Sequence, residues 1–343
     1  MRFRRRGDEG NTPGAPDFSK FWTWWAGARD GLGQAIAEGT VEKHVDEISG
    51  AVQALHPNLV WELGSGKAAK HMFVVSPEGD PELRVIAIRW EQSAPPPDGT
   101  WEYHASRQAS ERGKAALKIG GVLVGLDEIR SVTSWDEGRE RLAVRLWHAA
   151  LEGLPHEGRI QFAFLFLDDL IGEDQVERWI GAIEVDASAQ AGKTADELAA
   201  EFARRAETAT GERWVLAEGT DQRGDRLLVR YNAALKHIDR PFANQHLEVA
   251  VNRGFDHAAD RVLYEAIAEA EEQLNGALDG VAVEAAHLTD RRRRVTHFVC
   301  EDGAQALGVA REWAGAHKTW GTSAEVEYDP RWEFRRAYSQ AQW

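Results

Sequence analysis

The chain has 343 residues, with 41 Lys and Arg against 56 Asp and Glu, a formal charge of −15. That length predicts two or three compact units, and 43% hydrophobic with 28% charged residues belongs to a chain that folds. The acidic balance disfavours nucleic acid as a partner and favours a basic protein surface or a small molecule; the single cysteine, Cys300, excludes an internal disulfide and any multi-cysteine metal centre.

In chain order, residues 1–16 mix Arg, Gly, Pro and Asn without apolar periodicity and are expected to form a disordered tail. They lack the apolar core of a signal peptide, and no run approaches the roughly 18 to 20 apolar residues that cross a bilayer. A cytoplasmic protein with no membrane partner is expected. Asp17 is placed to cap a helix carrying Phe18, Phe21, Trp22, Trp25, Leu32 and Ile36 at helical spacing. Thr40 is expected to cap a second, with Val41, Val45, Ile48, Val52 and Leu55 on one stripe, ended by Pro57. The strand-like runs 59–63 and 71–76, joined by GSGKAAK, predict a hairpin. A helix over 80–91, the breaker APPPDG and a returning strand at 101–107 complete an α-α-β-β-α-β unit.

The middle is less regular. Residues 142–147 alternate as a strand, whereas the apolar run 160–170 fits a buried helix or strand equally, because its period decides neither. The run 176–185 follows. Thr194 and Glu197 form a capping-box pair for a further helix, and RWVLAEG, DRLLVRYN and HLEVAVN read as strands. Towards the end the first unit's order recurs: a helix over 261–278, strands 281–288 and 295–300, a helix with Leu307, Ala310 and Trp313, and a strand at 323–328. A shift of 224 residues lays Gly79 on Gly303, Leu83 on Leu307 and Val85 on Val309. The expected fold is therefore α+β: repeated β-β-α-β units of ferredoxin-like type, antiparallel-rich sheets, helices packed on one face. The expected organisation is the tail 1–16, an N-terminal unit 17–110, a middle unit 111–190 and a C-terminal unit 191–343. The 14 Trp are dispersed among these elements and are expected to pack the core.

Candidate chemistry is sparse. GSGKA at 64–68 superficially resembles a phosphate-binding loop, but Trp61 stands at the first glycine position, Ala68 replaces the hydroxyl, and a strand follows it rather than a helix. GGVLVG at 120–125 has the wrong spacing for a dinucleotide and reads as a strand edge. The acidic run LDDLIGEDQVERW offers Asp168, Asp169, Glu173 and Asp174 as ligands for Mg²⁺ or Ca²⁺, although the alternating calcium-loop pattern is absent. His148, His156, His237, His246 and His257 are scattered without an i, i+4 pair that would preform a ligand face. Cys300 ends a strand before a helix start that could lower its pKa, but reads more simply as a buried apolar residue. RRRR at 291–294 sits on a hairpin tip and reads as a solvated turn.

The segments FWTWW, LHPNLVWELG, HMFVVSPEGDPEL, WEYHASRQ and LFLDDLIGEDQVERWIGAIE, with GDRLLVRYN and VEYDPRWEF near the end, resemble the bacterial domain of unknown function 695 family. The motifs of that family are structural and imply no catalytic residue. RVTHFVCED and Tyr328-Asp329-Pro330 with Trp332 give the last unit a layout similar to the ribonuclease E activity regulator B family, which implies restraint of another protein by binding it. The expectation is a non-enzymatic bacterial regulator or adaptor with a protein partner and no cofactor. The alternatives are a divalent-metal hydrolase built on residues 168–177, and a small-ligand sensor with a Trp-lined cleft.

Overall fold

The fold begins where the sequence places a cap. The Asp17 carboxylate accepts the Ser19 amide at 3.2 Å, and α1 (Phe18–Glu38) runs to Gly39, whose φ of +69° closes the helix in the left-handed region that suits glycine. The computed structural model describes residues 16–110, 116–186, 191–209, 211–220, 224–253 and 261–335; the expected tail, up to residue 15, and His257 lie outside these. The chain is α+β with antiparallel-rich sheets, and it divides into two compact units, one ending at Gln108 and the other starting at Ala109.

In the first unit Thr40 makes no side-chain capping bond. A 3₁₀ turn over Val41–His44 comes first, and α2 (Val45–Gln53) begins after it. The hairpin forms as expected: β1 (Val60–Ser65) pairs antiparallel with β2 (His71–Ser76). α3 (Pro81–Gln92) starts at an Asp80 cap with proline in its first turn, and β3 (Trp101–His104) returns parallel to β2. The core is aromatic. Trp25 meets Trp101 edge-on at 4.8 Å and donates its indole N–H to the Tyr103 hydroxyl at 2.8 Å, while Trp90 packs edge-on against Phe21 at 5.5 Å.

The second unit opens with the hairpin β4 (Ala116–Ile119) and β5 (Val122–Gly125), which contains the GGVLVG segment. β6 (Arg130–Asp136) pairs antiparallel with β7 (Arg141–Trp147). The ambiguous run 160–170 is helical: α4 (His156–Ile171) buries Phe162, Phe166, Ala163 and Leu167 at i, i+4 spacing, the two rings stacked at 6.2 Å. Residues 176–185 divide between α5 (Glu173–Trp179) and β8 (Ile180–Asp186), which lies parallel to β7. α6 (Ala195–Thr208) carries the capping box that Thr194 and Glu197 predicted.

The six-stranded sheet that follows positions the site. It contains β9 (Trp214–Thr220), β10 (Arg226–Asn232), β11 (Gln245–Val251), β12 (Ala282–Thr289), β13 (Arg294–Cys300) and β14 (Thr322–Tyr328), in spatial order β14-β11-β13-β12-β10-β9. α7 (Arg261–Ala277) and α8 (Gly303–Ala316) cover one face, where Leu247, Val249, Val251, Phe298 and Cys300 meet Ile267, Leu274, Ala306 and Ala310. Strands alternate sides, so His246 faces the other way, among its cross-strand neighbours Val299 and Glu327. That second face buries Leu235, Ala243, Ala285, Val299 and Trp332. No helix among the described residues is long and apolar enough to cross a membrane.

Candidate metal centre

The structure places the acidic run at the junction of α4 and α5. Asp168 and Glu173 are buried there, Asp174 is exposed, and Asp169 accepts the Ser110 hydroxyl at 2.5 Å and, through its carbonyl, the Ser110 amide at 2.9 Å. None of the four is without a partner. Among the described residues, three side chains with donor atoms within 4.8 Å of one another come together elsewhere, at His246, Glu327 and Asp329.

Strand register builds this group. His246 on β11 lies directly opposite Glu327 on β14, and its Nδ1 is 3.1 Å from Glu327 Oε1. Two residues beyond Glu327 the chain leaves the sheet, and the Asp329 amide donates to the Asn244 carbonyl at 2.9 Å, which holds that residue beside the start of β11. The Asp329 carboxylate is buried and accepts two backbone amides, Glu333 at 2.8 Å and Phe334 at 3.2 Å. Each carboxylate oxygen keeps a second lone pair, so these bonds leave the group able to ligate a cation.

Behind His246 stands a second imidazole. His246 Nε2 is 2.9 Å from His297 Nδ1, and the Phe334 ring stacks on His246 at 4.2 Å with only 5° between the planes. Burial, reinforced by the neighbouring His246 and His287, pushes His297 down to about 3, so that ring is neutral and can act as an acceptor. Without a cation, Nδ1–H of His246 donates to the Glu327 carboxylate; when a cation takes that proton's place, His246 donates from Nε2–H to His297 and offers its Nδ1 lone pair to the ion. A metal-ligating imidazole whose far nitrogen is hydrogen-bonded has its tautomer and orientation fixed in this way. Donors around a tetrahedral ion with bonds of about 2.0–2.1 Å lie about 3.4 Å apart. The 3.1 Å between His246 Nδ1 and Glu327 Oε1 is already near that value, and Glu327, whose side chain is 71% exposed against 4% for His246, is the ligand with most room to adjust.

The remaining sequence candidates take other roles. Loop 66–70 does cradle an anion, but the anion is internal: the Glu102 carboxylate accepts the amides of Lys67, Ala68 and Ala69 at 2.7–2.8 Å. Gly66 is needed there, since a Cβ on it would lie 2.6 Å from the Ala69 carbonyl oxygen. Burial pushes the Glu102 carboxyl up, but the amide of Lys67, then His104 and the other two amides, outweigh it and hold the group at about 2. Of the four arginines, Arg294 is folded in, its Nε on both Glu271 oxygens at 2.6–2.7 Å, while Asp290 accepts the amides of Arg292 and Arg293 to form the turn. His148 accepts the Ala150 amide at 3.0 Å, and His237 lies edge-on to Trp332. Cys300 is buried, and burial, then the Asp302 charge, pushes its thiol up to about 11, opposite to the lowering that a helix start could give.

Sequence reasoning named His246 without its partners. Glu327 and Asp329 lie 81 and 83 positions further along the chain, and only the pairing of β11 with β14 brings them together. No family model matches the chain, and no curated protein is found to be similar to it.

Proposed function

We propose that the protein is a non-enzymatic regulator that acts by binding another protein, and that its C-terminal sheet holds one divalent transition-metal ion. A single observation carries the metal half of this reading: an imidazole nitrogen and two carboxylates, from β11, β14 and the segment just after it, lie within 4.8 Å of one another. A nitrogen ligand beside two oxygens suits Zn²⁺ and its first-row neighbours better than Mg²⁺ or Ca²⁺, which take oxygen sets. The partner half rests on the net charge of −15, which favours a basic protein surface, and on the resemblance of the last unit's sequence to a family of regulators.

Isothermal titration of the full chain with ZnCl₂ tests the site. One equivalent should bind, and His246→Ala or Asp329→Ala should abolish that binding, while Glu327→Gln weakens it less, because an exposed carboxylate is the most easily replaced by water. Equal Zn²⁺ binding by wild type and His246→Ala would refute the site.

A further inference from the structure

The segment after β14 is a strap. From Asp329 to Arg335 it crosses the sheet face opposite the helices, where Trp332, Phe334 and Arg335 are anchored while Arg331 and Glu333 stay exposed. The Trp332 ring is 4% exposed, sits in a cluster with Leu235, Ala243, Ala285 and Val299, and donates its indole N–H to the Ala243 carbonyl at 2.8 Å. Phe334 stacks on His246 and, at 5.5 Å, on His297. Arg335 donates to the carbonyls of Leu235 and Asn232.

The anchoring is not free of cost. Trp332 sits at φ +49°, a left-handed conformation that is unfavourable for a bulky L-residue. The strain persists because the docked ring and its hydrogen bond offset it. An element held down against strain is one that a second, released state would relax. The balance between docked and released states is open to bias by anything that binds only one.

The Asp329 side chain belongs to both the strap and the metal group. Its two oxygens hold the Glu333 and Phe334 amides, which fold the strap back on itself, and one carboxylate oxygen lies within 4.8 Å of the donor atoms of His246 and Glu327. The ring that Phe334 covers is the imidazole of the same group. Releasing the strap therefore uncovers His246 and frees the segment that orients Asp329, whereas a cation shared by His246, Glu327 and Asp329 ties strap to sheet.

Resting on the metal-site reading above, we propose that the ion is a regulatory clasp: Zn²⁺ binds the docked strap preferentially and locks residues 329–335 onto the sheet. Linkage makes this reciprocal and sets a numerical condition. The factor by which saturating Zn²⁺ suppresses strap opening equals the factor by which a released strap weakens Zn²⁺ binding.

Hydrogen–deuterium exchange of the full-length protein, with and without ZnCl₂, measures the first factor in a peptide covering 329–335. Zn²⁺ titration of Trp332→Ala and Phe334→Leu measures the second. Neither variant removes a ligand, and the leucine keeps the site apolar should the alanine disturb folding. Expected are an increase in strap protection and a loss of Zn²⁺ affinity of about tenfold, with the two factors matching for the variant that releases the strap. If Zn²⁺ binds in a His246-dependent manner but strap protection is unchanged and both variants keep wild-type affinity, the clasp is refuted and the metal site stands. If wild type binds no Zn²⁺, or His246→Ala binds it equally, the metal site itself fails and the clasp falls with it.

Discussion

Two regions of this chain run strand, strand, helix, strand, and they use the order differently. In the first, β1, β2, α3 and β3 form a three-stranded sheet in which β3 lies directly beside β2, parallel to it. In the second, β12, β13, α8 and β14 follow the same succession, but β11 stands between β13 and β14, antiparallel to both. β13 and β14 are therefore parallel, as β2 and β3 are, with one strand's width inserted between them. The consequence is chemical. In the first region the last strand's carboxylate, Glu102, has no imidazole from an intervening strand beside it and turns into the loop before β2, where three amides and His104 consume it. In the second, the last strand's Glu327 faces the inserted strand and meets His246. One extra strand separates a carboxylate closed within the fold from one that can share a cation.

The closed region should break most readily at its aromatic core. Trp25 is 1% exposed, and its truncation removes both the ring packed on Trp101 and the only N–H donor that it offers the Tyr103 hydroxyl. Trp25→Ala is expected to cost about 3–5 kcal/mol, read as a fall in the denaturant midpoint. A loss below 1 kcal/mol would mean that this core is not what holds the first sheet.

A smaller loss, about 1–3 kcal/mol, is expected of Glu102→Gln, which replaces one acceptor oxygen by an NH₂ that confronts the loop amides. The same variant tests the sign of a pH effect. The native Glu102 carboxyl is held at about 2, below its ordinary 4.5. Its contribution is therefore complete above pH 4.5 and is lost as the pH falls from 4.5 towards 2, where the unfolded chain takes up a proton that the native one refuses. Wild type should lose stability over that window more steeply than Glu102→Gln. Parallel pH curves would show that the nest does not depend on the charge.

What the sequence made legible was local. Asp17, and Thr194 with Glu197, each announce a helix start through residues within a few positions of one another, and each cap forms. The hairpins β1–β2 and β12–β13 were legible for the same reason, each being closed by a short turn between two apolar runs. Thr40 shows the limit, since a capping residue followed by a good stripe still gave a 3₁₀ turn first. The run 160–170 shows another, where uniform apolarity hid the period until Phe162 and Phe166 were seen stacked. The site was out of reach because it depends on register. Had β11 slipped by one residue, His246 would point into the helix layer and Leu247 towards Glu327. The facing is set by the alternating apolar residues Leu247, Val249 and Val251, which take the helix side and leave His246 the other, but nothing within β11 encodes that β14 will pair with it and bring Glu327 opposite.

The smallest expected effect sharpens the comparison at a single position. Ser76 ends β2 and Cys300 ends β13, 224 residues later, the interval that aligns the two regions. Ser76 is buried and its hydroxyl accepts the Glu78 amide at 3.0 Å, serving a turn. Cys300 has β11 beside it, its sulfur 3.7 Å from the Gln245 carbonyl, and it packs among Leu247, Phe298 and Ala306 as an apolar group. Burial raises the thiol to about 11, so that about one molecule in a thousand carries the reactive thiolate at pH 8. Reaction with a disulfide reagent at pH 8 should therefore be slow in the native protein and become rapid in denaturant, and Zn²⁺ should not alter it, because Cys300 lies on the helix side of the sheet and the metal group on the other. Fast labelling of the native chain would mean that the inserted strand leaves this edge open, and the contrast between the two regions would then not extend to the ends of their second strands.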